Sequence, residues 1–443
     1  MPNRIPYLAL TIILCAMDVC VFAQSQSMTL QQAQDFAMRN AFVVKNAGYD
    51  AQAAKLQTAE LIGIGFPQIS GSLQYQNYID LPTSIIPGDF FGEPGQDVRL
   101  QFGTPHNMTV GLSVSQLLFD GSWLVGLEAA RAYADLKQKQ VEQSQVQLEE
   151  AVAQAYHLAV IADRNVELLR ESGDVLTNSL KEVSAMFNEG FTEQQDVDQL
   201  QLSVNDLNNR IAYSEQQQKM TLDLLKFRIG MPIAEELSLA ENADALLAIA
   251  INEQGALPFI IENNIDLKVQ TGALAMQHLN LKNQKTKLLP SLGAFYNLQS
   301  QALRNDFDFL DTGKPWFPIQ LWGVQLNVPI FSGMSKQKSI DRARVEVQRM
   351  TDMVSLLRES LQLEYNSAKT EYDYALINYN SSKSSLELAE KILTTTNIKF
   401  KEGLNSSFEV SQHQSQVLAA QGSFIDSMLK LLNAKTRMMK AVG

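Results

Sequence analysis

The chain has 443 residues, 45% of them hydrophobic and 19% charged, which suffices for a substantial core and carries no bias towards disorder. A net charge of −12 without any polybasic block argues against nucleic acid and anionic lipid surfaces as main partners. The two cysteines, Cys15 and Cys20, both fall in the first twenty residues, so a disulfide framework is not expected.

The N-terminus reads "MPNRIPYLALTIILCAMDVCVFAQSQS". Arg4, an apolar run from Ile5 to Met17 and the small-residue site Val21-Phe22-Ala23 predict a secretory signal peptide over 1–23, with Asp18 an unusual charge near its end. A lipoprotein signal needs small residues before its cysteine. Met-Asp-Val before Cys20 and Ile-Ile-Leu before Cys15 fit that poorly. The exported chain is then cysteine-free. No later stretch approaches the roughly 18 uninterrupted apolar residues of a transmembrane helix, which leaves a soluble protein or one held in a membrane by strands.

A helix is predicted over Leu30 to Ile64, followed by alternation in "QISGSLQYQ", where Ile69, Gly71, Leu73 and Tyr75 share one face and Ser70, Ser72, Gln74 and Gln76 the other. The Pro- and Gly-rich stretch "IDLPTSIIPGDFFGEPGQDVRLQFGTP" reads as an irregular loop. A second alternating run sets Met108, Val110, Leu112 and Val114 against Thr109, Gly111, Ser113 and Ser115. From Gly121 to Phe187 no proline interrupts a stripe alternately four and three apart, running from Val141 through Leu148, Val152, Ala159, Val166, Leu176 and Val183 to Phe187, the heptad mark of supercoiled helices. After "FNEGFTEQQDV" comes a second amphipathic helix, Gln194 to Gly230.

The plan then repeats. Past a linking segment, 231–258, a shift of 223 lays "LPSLGAFYNL" on "FPQISGSLQY", and a shift of 212 lays "GVQLNVPIFSG" on "GLSVSQLLFDG". A shift of 213 lays "FKEGLNSSFEV" on "FNEGFTEQQDV". The second half therefore has a helix over Phe259 to Leu288 and strands carrying Leu292, Ala294, Tyr296 and Leu298, then Trp322, Val324, Leu326 and Val328. Phe295 breaks its polar row. A long helix from Gly333 to Phe400 has a stripe through Leu357, Leu361, Ala368, Tyr379, Leu386 and Leu393, and Ser407 to Met439 closes the chain. The organisation is thus 24–230, a link at 231–258, and 259–443. Strands with one apolar and one neutral-polar face fit either a transmembrane barrel or a half-buried antiparallel sheet. At about 1.5 Å per residue, helices approaching seventy residues are deeper than any compact domain, and their polar flanks suit a wall wetted on both sides.

In this order, and on the motifs "TLQQAQDFAMRN", "PQISGSLQY", "GLSVSQLLFDG", "PIFSG" and the C-terminal stretch from Phe400, the chain resembles the TolC-type outer-membrane efflux proteins, or outer membrane factors. The resemblance covers essentially the whole exported sequence. It implies a predominantly α, mixed α and β fold: a homotrimer with a 12-stranded transmembrane β-barrel continued by a periplasmic α-helical barrel. It also implies a passive duct for efflux or type I secretion in a Gram-negative outer membrane. The partners would be a periplasmic adaptor (membrane fusion) protein and an inner-membrane pump such as an RND or ABC transporter.

By the same resemblance the two turns form the periplasmic tip, where the adaptor docks: Phe187, Gly190, Phe191 and Thr192 in one, Phe400, Gly403, Leu404, Asn405 and Ser406 in the other. Asp196 and Glu409 match family carboxylates near the entrance, while Gln412 is neutral where a further carboxylate stands. Phe400 and Asn405 replace a tyrosine and an arginine that latch the tip in many members. The plain alternative for Asp196 and Glu409 is an acidic residue favoured at a helix start.

Enzyme chemistry has no foothold, and neither cofactor nor metal is implied. His106, His157, His278 and His413 are isolated, and neither a nucleophile elbow nor a phosphate-binding loop occurs. Trp123, Trp316 and Trp322 near strand ends fit an interfacial girdle, with packing an equal alternative for Trp123. Two rival classes share parts of the pattern: a periplasmic coiled-coil scaffold or adaptor, and a surface adhesin or receptor using the 78–105 loop.

Overall fold

The computed structural model describes residues 26–87, 92, 95, 97–252 and 258–442. The expected signal peptide at 1–23, with both cysteines, lies outside them. The chain divides into two compact units, one of residues up to Tyr49, Lys139–Val269 and Ser355 onward, the other of Asp50–Gln138 and Gln270–Val354.

The second unit is built on a four-stranded antiparallel sheet. Its strands are β2 (Gln68–Asn77), β5 (His106–Asp120), β7 (Ser291–Arg304) and β8 (Phe317–Asn327), hydrogen-bonded in the order β2-β5-β7-β8. The two predicted strand pairs thus join through β5 and β7, with Leu112 opposite Leu298. The register puts Ile69, Val114, Tyr296 and Trp322 in one row, and Ser70, Ser113, Asn297 and Leu321 in the adjacent row on the other face. Helical parts of α2 (Phe42–Gly63), α3 (Gly121–Asn188), α6 (Ile265–Thr286) and α7 (Ser335–Lys401) meet one end of this sheet. There Trp123 Nε1 donates to the Leu61 carbonyl at 2.9 Å. Its ring fills the space above Gly65, where a Cβ would lie 2.5 Å from Cζ2, so Trp123 is a packed residue.

Two expectations are corrected in this unit. The stretch from Ile79 to Pro105 is not wholly irregular, because β3 (Thr83–Pro87) and β4 (Asp97–Gln101) pair antiparallel within it. Strand β8 changes its apolar face midway: Phe317, Ile319 and Leu321 stand on the face of Gln301, Gln299 and Asn297, whereas Trp322, Val324 and Leu326 stand on the opposite one. Trp322 therefore lies mid-strand and is 75% exposed.

The first unit packs α1 (Leu30–Asn40), the distal parts of α3 and α7, α4 (Gln194–Ile229) and α8 (Ser407–Val442) around the predicted stripes. Val152, Val166, Leu176 and Val183 are buried on α3, and Leu361, Ala368, Tyr379, Leu386 and Leu393 on α7. The expected helix from Leu30 to Ile64 is two helices, broken where Ala41 is extended at ψ 132°. The break accommodates Gly230, the αL cap of α4, whose backbone presses on Asn40 so closely that a Cβ would lie 2.7 Å from the Asn40 oxygen. Likewise the helix expected from Phe259 starts at Ile265, because the Asn264 side chain accepts from the Asp266 and Leu267 amides and caps it there.

The linking segment is structured as well. β6 (Leu237–Leu239) pairs parallel with β1 (Gln26–Met28), and α5 (Ala243–Asn252) follows. Two tyrosines tie these pieces to the long helices: Tyr156 donates to the Met28 carbonyl at 2.9 Å and Tyr372 to that of Ala250 at 2.8 Å.

Candidate functional site

Both helical hairpins turn by one device. At the end of α3 the Gly190 amide bonds to the Phe187 carbonyl at 2.9 Å and that of Phe191 to Met186 at 2.8 Å. At the end of α7 the Gly403 amide bonds to Phe400 at 2.9 Å and that of Leu404 to Lys399 at 2.9 Å. Gly190 and Gly403 adopt φ of 79° and 72°, the left-handed closure that glycine accommodates at least cost. The next helices then start on reciprocal caps. The Glu193 amide donates to Asp196 at 3.4 Å, and the Ser406 amide donates to Glu409 at 3.0 Å.

Of the predicted gate residues, Asp196 and Glu409 are therefore helix-start caps, but their surroundings differ. Glu409 is exposed. Asp196 also accepts the Thr192 hydroxyl at 2.5 Å and the Ser407 hydroxyl, so it links the two turns. Burial works to raise the Asp196 pKa. The hydrogen bonds from Ser407, Thr192 and the Glu193 backbone outweigh that and hold the carboxyl below its ordinary range. Ser407 is 4% exposed. Sequence reading passed over it because its hydroxyl is one of a Ser-Ser pair at a helix start, where capping is the usual role.

Phe400 is buried against Leu176, Val183, Leu200, Val204 and Val410. Asn405 is half-buried and Gln412 exposed. The turns present apolar side chains outward: Phe191 is 79% exposed, Leu404 70% and Phe408 65%. Phe187 is 37% exposed. Further up the same unit α4 meets α8 through polar contacts, Ser203 to Ser411 at 2.8 Å and Gln199 to Ser411 at 3.4 Å.

In the sheet unit the apolar face is largely open. Ile69 and Leu73 on β2 are 69% and 68% exposed, and Val324 and Leu326 on β8 57% and 61%. Beyond β7 the connection to β8 folds onto this face, where Phe307 and Phe309 meet the Tyr75 ring edge-on at 5.4 and 5.8 Å. Tyr75 is bonded to His106 at 2.9 Å. Among the described residues no helix is long and apolar enough to cross a membrane, and no His, Cys, Asp and Glu group is placed to hold a metal ion.

Residues 66–230 match the family model described as "Outer membrane efflux protein". No curated protein matches the chain by sequence. Among solved structures, the channel CusC superposes with a TM-score of 0.75 at 16% identity, over 94% of this chain and 92% of that one. The Campylobacter jejuni CmeC outer membrane channel gives 0.70 at 16% over 94% and 85%. The outer membrane protein VceC of Vibrio cholerae gives 0.69 at 13% over 94% and 96%. Residues 66–230 thus resemble outer membrane efflux proteins, and the chain as a whole shares the fold of these outer-membrane channels.

Proposed function

We propose that three copies of the chain close into a passive exit duct through the outer membrane of a Gram-negative bacterium, with its helical part in the periplasm. The observation that carries this reading is the sheet. Among the described residues its edge strands β2 and β8 each have a single neighbour, and an open edge in hydrocarbon leaves backbone groups unpaired at several kcal/mol each. Joining β8 of one copy to β2 of the next removes both edges. Three copies give twelve strands, the number following from the family resemblance. Strand β8 supports the same reading, since its apolar residues fall on one face from Phe317 to Leu321 and on the other from Trp322 to Leu326, which suits a strand covered on both. Exposed seams on the helices point the same way: Tyr213, Met220 and Phe227 are spaced seven apart on α4, as are Leu356 and Leu363 on α7.

The duct is opened by a periplasmic adaptor and an energised inner-membrane pump, of RND or ABC type, in an efflux or type I secretion system. Phe191, Leu404 and Phe408 are the apolar contacts offered to adaptor hairpins at the tip. Asp196 and Glu409 line the entrance gate, with Gln412 leaving it one charge weaker. Purification in detergent followed by mass measurement and planar-bilayer recording tests this. A conducting trimer is expected, and a stable non-conducting monomer overturns it. A scaffold would wash off membranes without detergent, and an adhesin would not conduct.

A further inference from the structure

We propose that a cationic patch at the helix-facing end of β7 and β8, with the apolar rim beside it, binds the phosphate headgroups of anionic phospholipid in the periplasmic leaflet. The inference rests on the outer-membrane reading above. Ser291 pairs with Asn327 at this end of the sheet, so the segments leading into β7 and out of β8 lie together. Lys336 Nζ donates to the Lys287 carbonyl at 2.6 Å and fixes that neighbourhood. Lys285 and Lys287 are exposed beside it, and Lys338 and Arg342 are exposed on the first two turns of α7. Nearby Asp341 is shared, 3.7 Å from Lys338 and 3.2 Å from Arg344, so positive charge is left in excess.

Helix stability does not account for these lysines. Lys285 lies in the last turn of α6, where a cation suits the macrodipole. Lys336 and Lys338 lie in the first turn of α7, which has no acidic residue, and there the dipole opposes them. Their contacts to the Lys287 carbonyl and to Asp341 hold both cations at a helix start that the dipole disfavours, which points to a functional demand. The adjoining rim is apolar: Ile330 is 93% exposed, Phe331 83% and Leu289 48%. In sequence these residues stand between the strands and the lysines, Leu289 two before Ser291 and two after Lys287, Phe331 four after Asn327 and five before Lys336, the order by which a protein meets hydrocarbon and then phosphate. The opposite end of the sheet is different, with Asp306, Asp308 and Asp311 against Arg304 and Lys314. The net charge of −12 does not oppose a local patch. No polybasic block signals it, because the patch is assembled from segments 49 residues apart.

The test uses the full chain reconstituted in nanodiscs of phosphatidylcholine, alone or mixed with phosphatidylglycerol, with lipid retained after detergent exchange read by native mass spectrometry. The unmodified protein is expected to retain phosphatidylglycerol preferentially and to lose that preference in high salt. The variant Lys285→Gln/Lys287→Gln/Lys338→Gln should lower the preference by roughly fivefold per lysine, while the corresponding triple arginine variant keeps it. An unchanged preference in the glutamine variant overturns the inference. So does dissociation of that variant into single copies with the preference intact, which makes the patch a contact between copies. A conducting protein with no preference sinks this inference alone, whereas one that neither inserts nor conducts sinks the channel reading with it.

Discussion

Asp196 and Ser407 stand 211 residues apart in sequence, yet the Ser407 hydroxyl donates to the Asp196 carboxylate and ties the turn after α3 to the turn after α7. The tie occupies the region where Phe400 and Asn405 provide neither the phenol nor the guanidinium expected of a family latch. Replacing Ser407 by Ala removes one hydrogen bond to a charged group, worth about 1.5–3 kcal/mol when desolvated and less at this half-exposed site. It leaves the Ser406–Glu409 cap in place. Faster hydrogen exchange at 191–197 and more frequent open events in bilayer recordings are expected. Unchanged exchange in the variant means the bond holds nothing. The folded carboxyl is depressed, so its contribution is present above the ordinary carboxylate pKa and is lost as pH falls through the lower folded value. Exchange at the turn should therefore accelerate only on acidification below about pH 4.

Glu409 is exposed, and its one described role is to cap the start of α8. A gate role requires that the copies of the proposed trimer bring these carboxylates together. Glu409→Gln keeps a side-chain oxygen for the Ser406 amide and removes the charge. Block of the channel by divalent cations should weaken in the variant. Equal block at equal concentration removes Glu409 from the gate.

Gly230 and Gly190 share a left-handed backbone but not a neighbourhood. At Gly190 nothing lies within 4 Å of an added Cβ, so Gly190→Ala incurs only the conformational cost, about 1–2 kcal/mol. At Gly230 the same methyl meets Asn40 O at 2.7 Å and Ala41 N at 2.9 Å, both backbone atoms. Gly230→Ala should cost about 1–3 kcal/mol more than Gly190→Ala, the overpacking increment, and thermal unfolding followed by circular dichroism measures the difference. Equal losses would mean that the break at Ala41 yields freely.

The legible parts of the sequence were the periodic ones. Val152, Leu176 and Val183 recur at heptad spacing because one face of α3 is buried, and Ile69, Leu73 and Tyr75 alternate because the sheet has two unlike faces. The paired strands β3 and β4 were hidden because Pro82, Pro87, Gly92 and Gly95 dominate that stretch, while Ile85 opposite Arg99 and Ile86 opposite Val98 are contacts between positions no period links. The change of face in β8 was obscured for a related reason. Leu321 and Trp322 are adjacent and both apolar, so alternation read from Trp322 onward conceals the earlier phase. At the turns, glycine and carboxylate positions were readable from the repeat. The Asp196–Ser407 tie was not, because it joins the two halves instead of repeating in each.

His157 supplies the prediction most specific to the helical unit. It is 4% exposed on α3, with Nδ1 3.3 Å from Asn433 Oδ1. Burial pushes its pKa down to about 4, against smaller opposing effects of the Asn433 hydrogen bond and the Glu241 charge. The folded state therefore binds a proton less readily than the unfolded chain, and stability must rise with pH between the two values. The contribution is complete above about pH 6.5, the ordinary histidine value. It declines as the medium is acidified toward 4 and changes no further below that. A shift of this size corresponds to about 3 kcal/mol across the window. His157→Gln retains a donor for Asn433 and does not titrate, so its stability should stay flat where that of the unmodified protein falls. Denaturant unfolding of both proteins between pH 4 and 7 makes the comparison, and parallel curves would show that protonation of His157 is not coupled to folding.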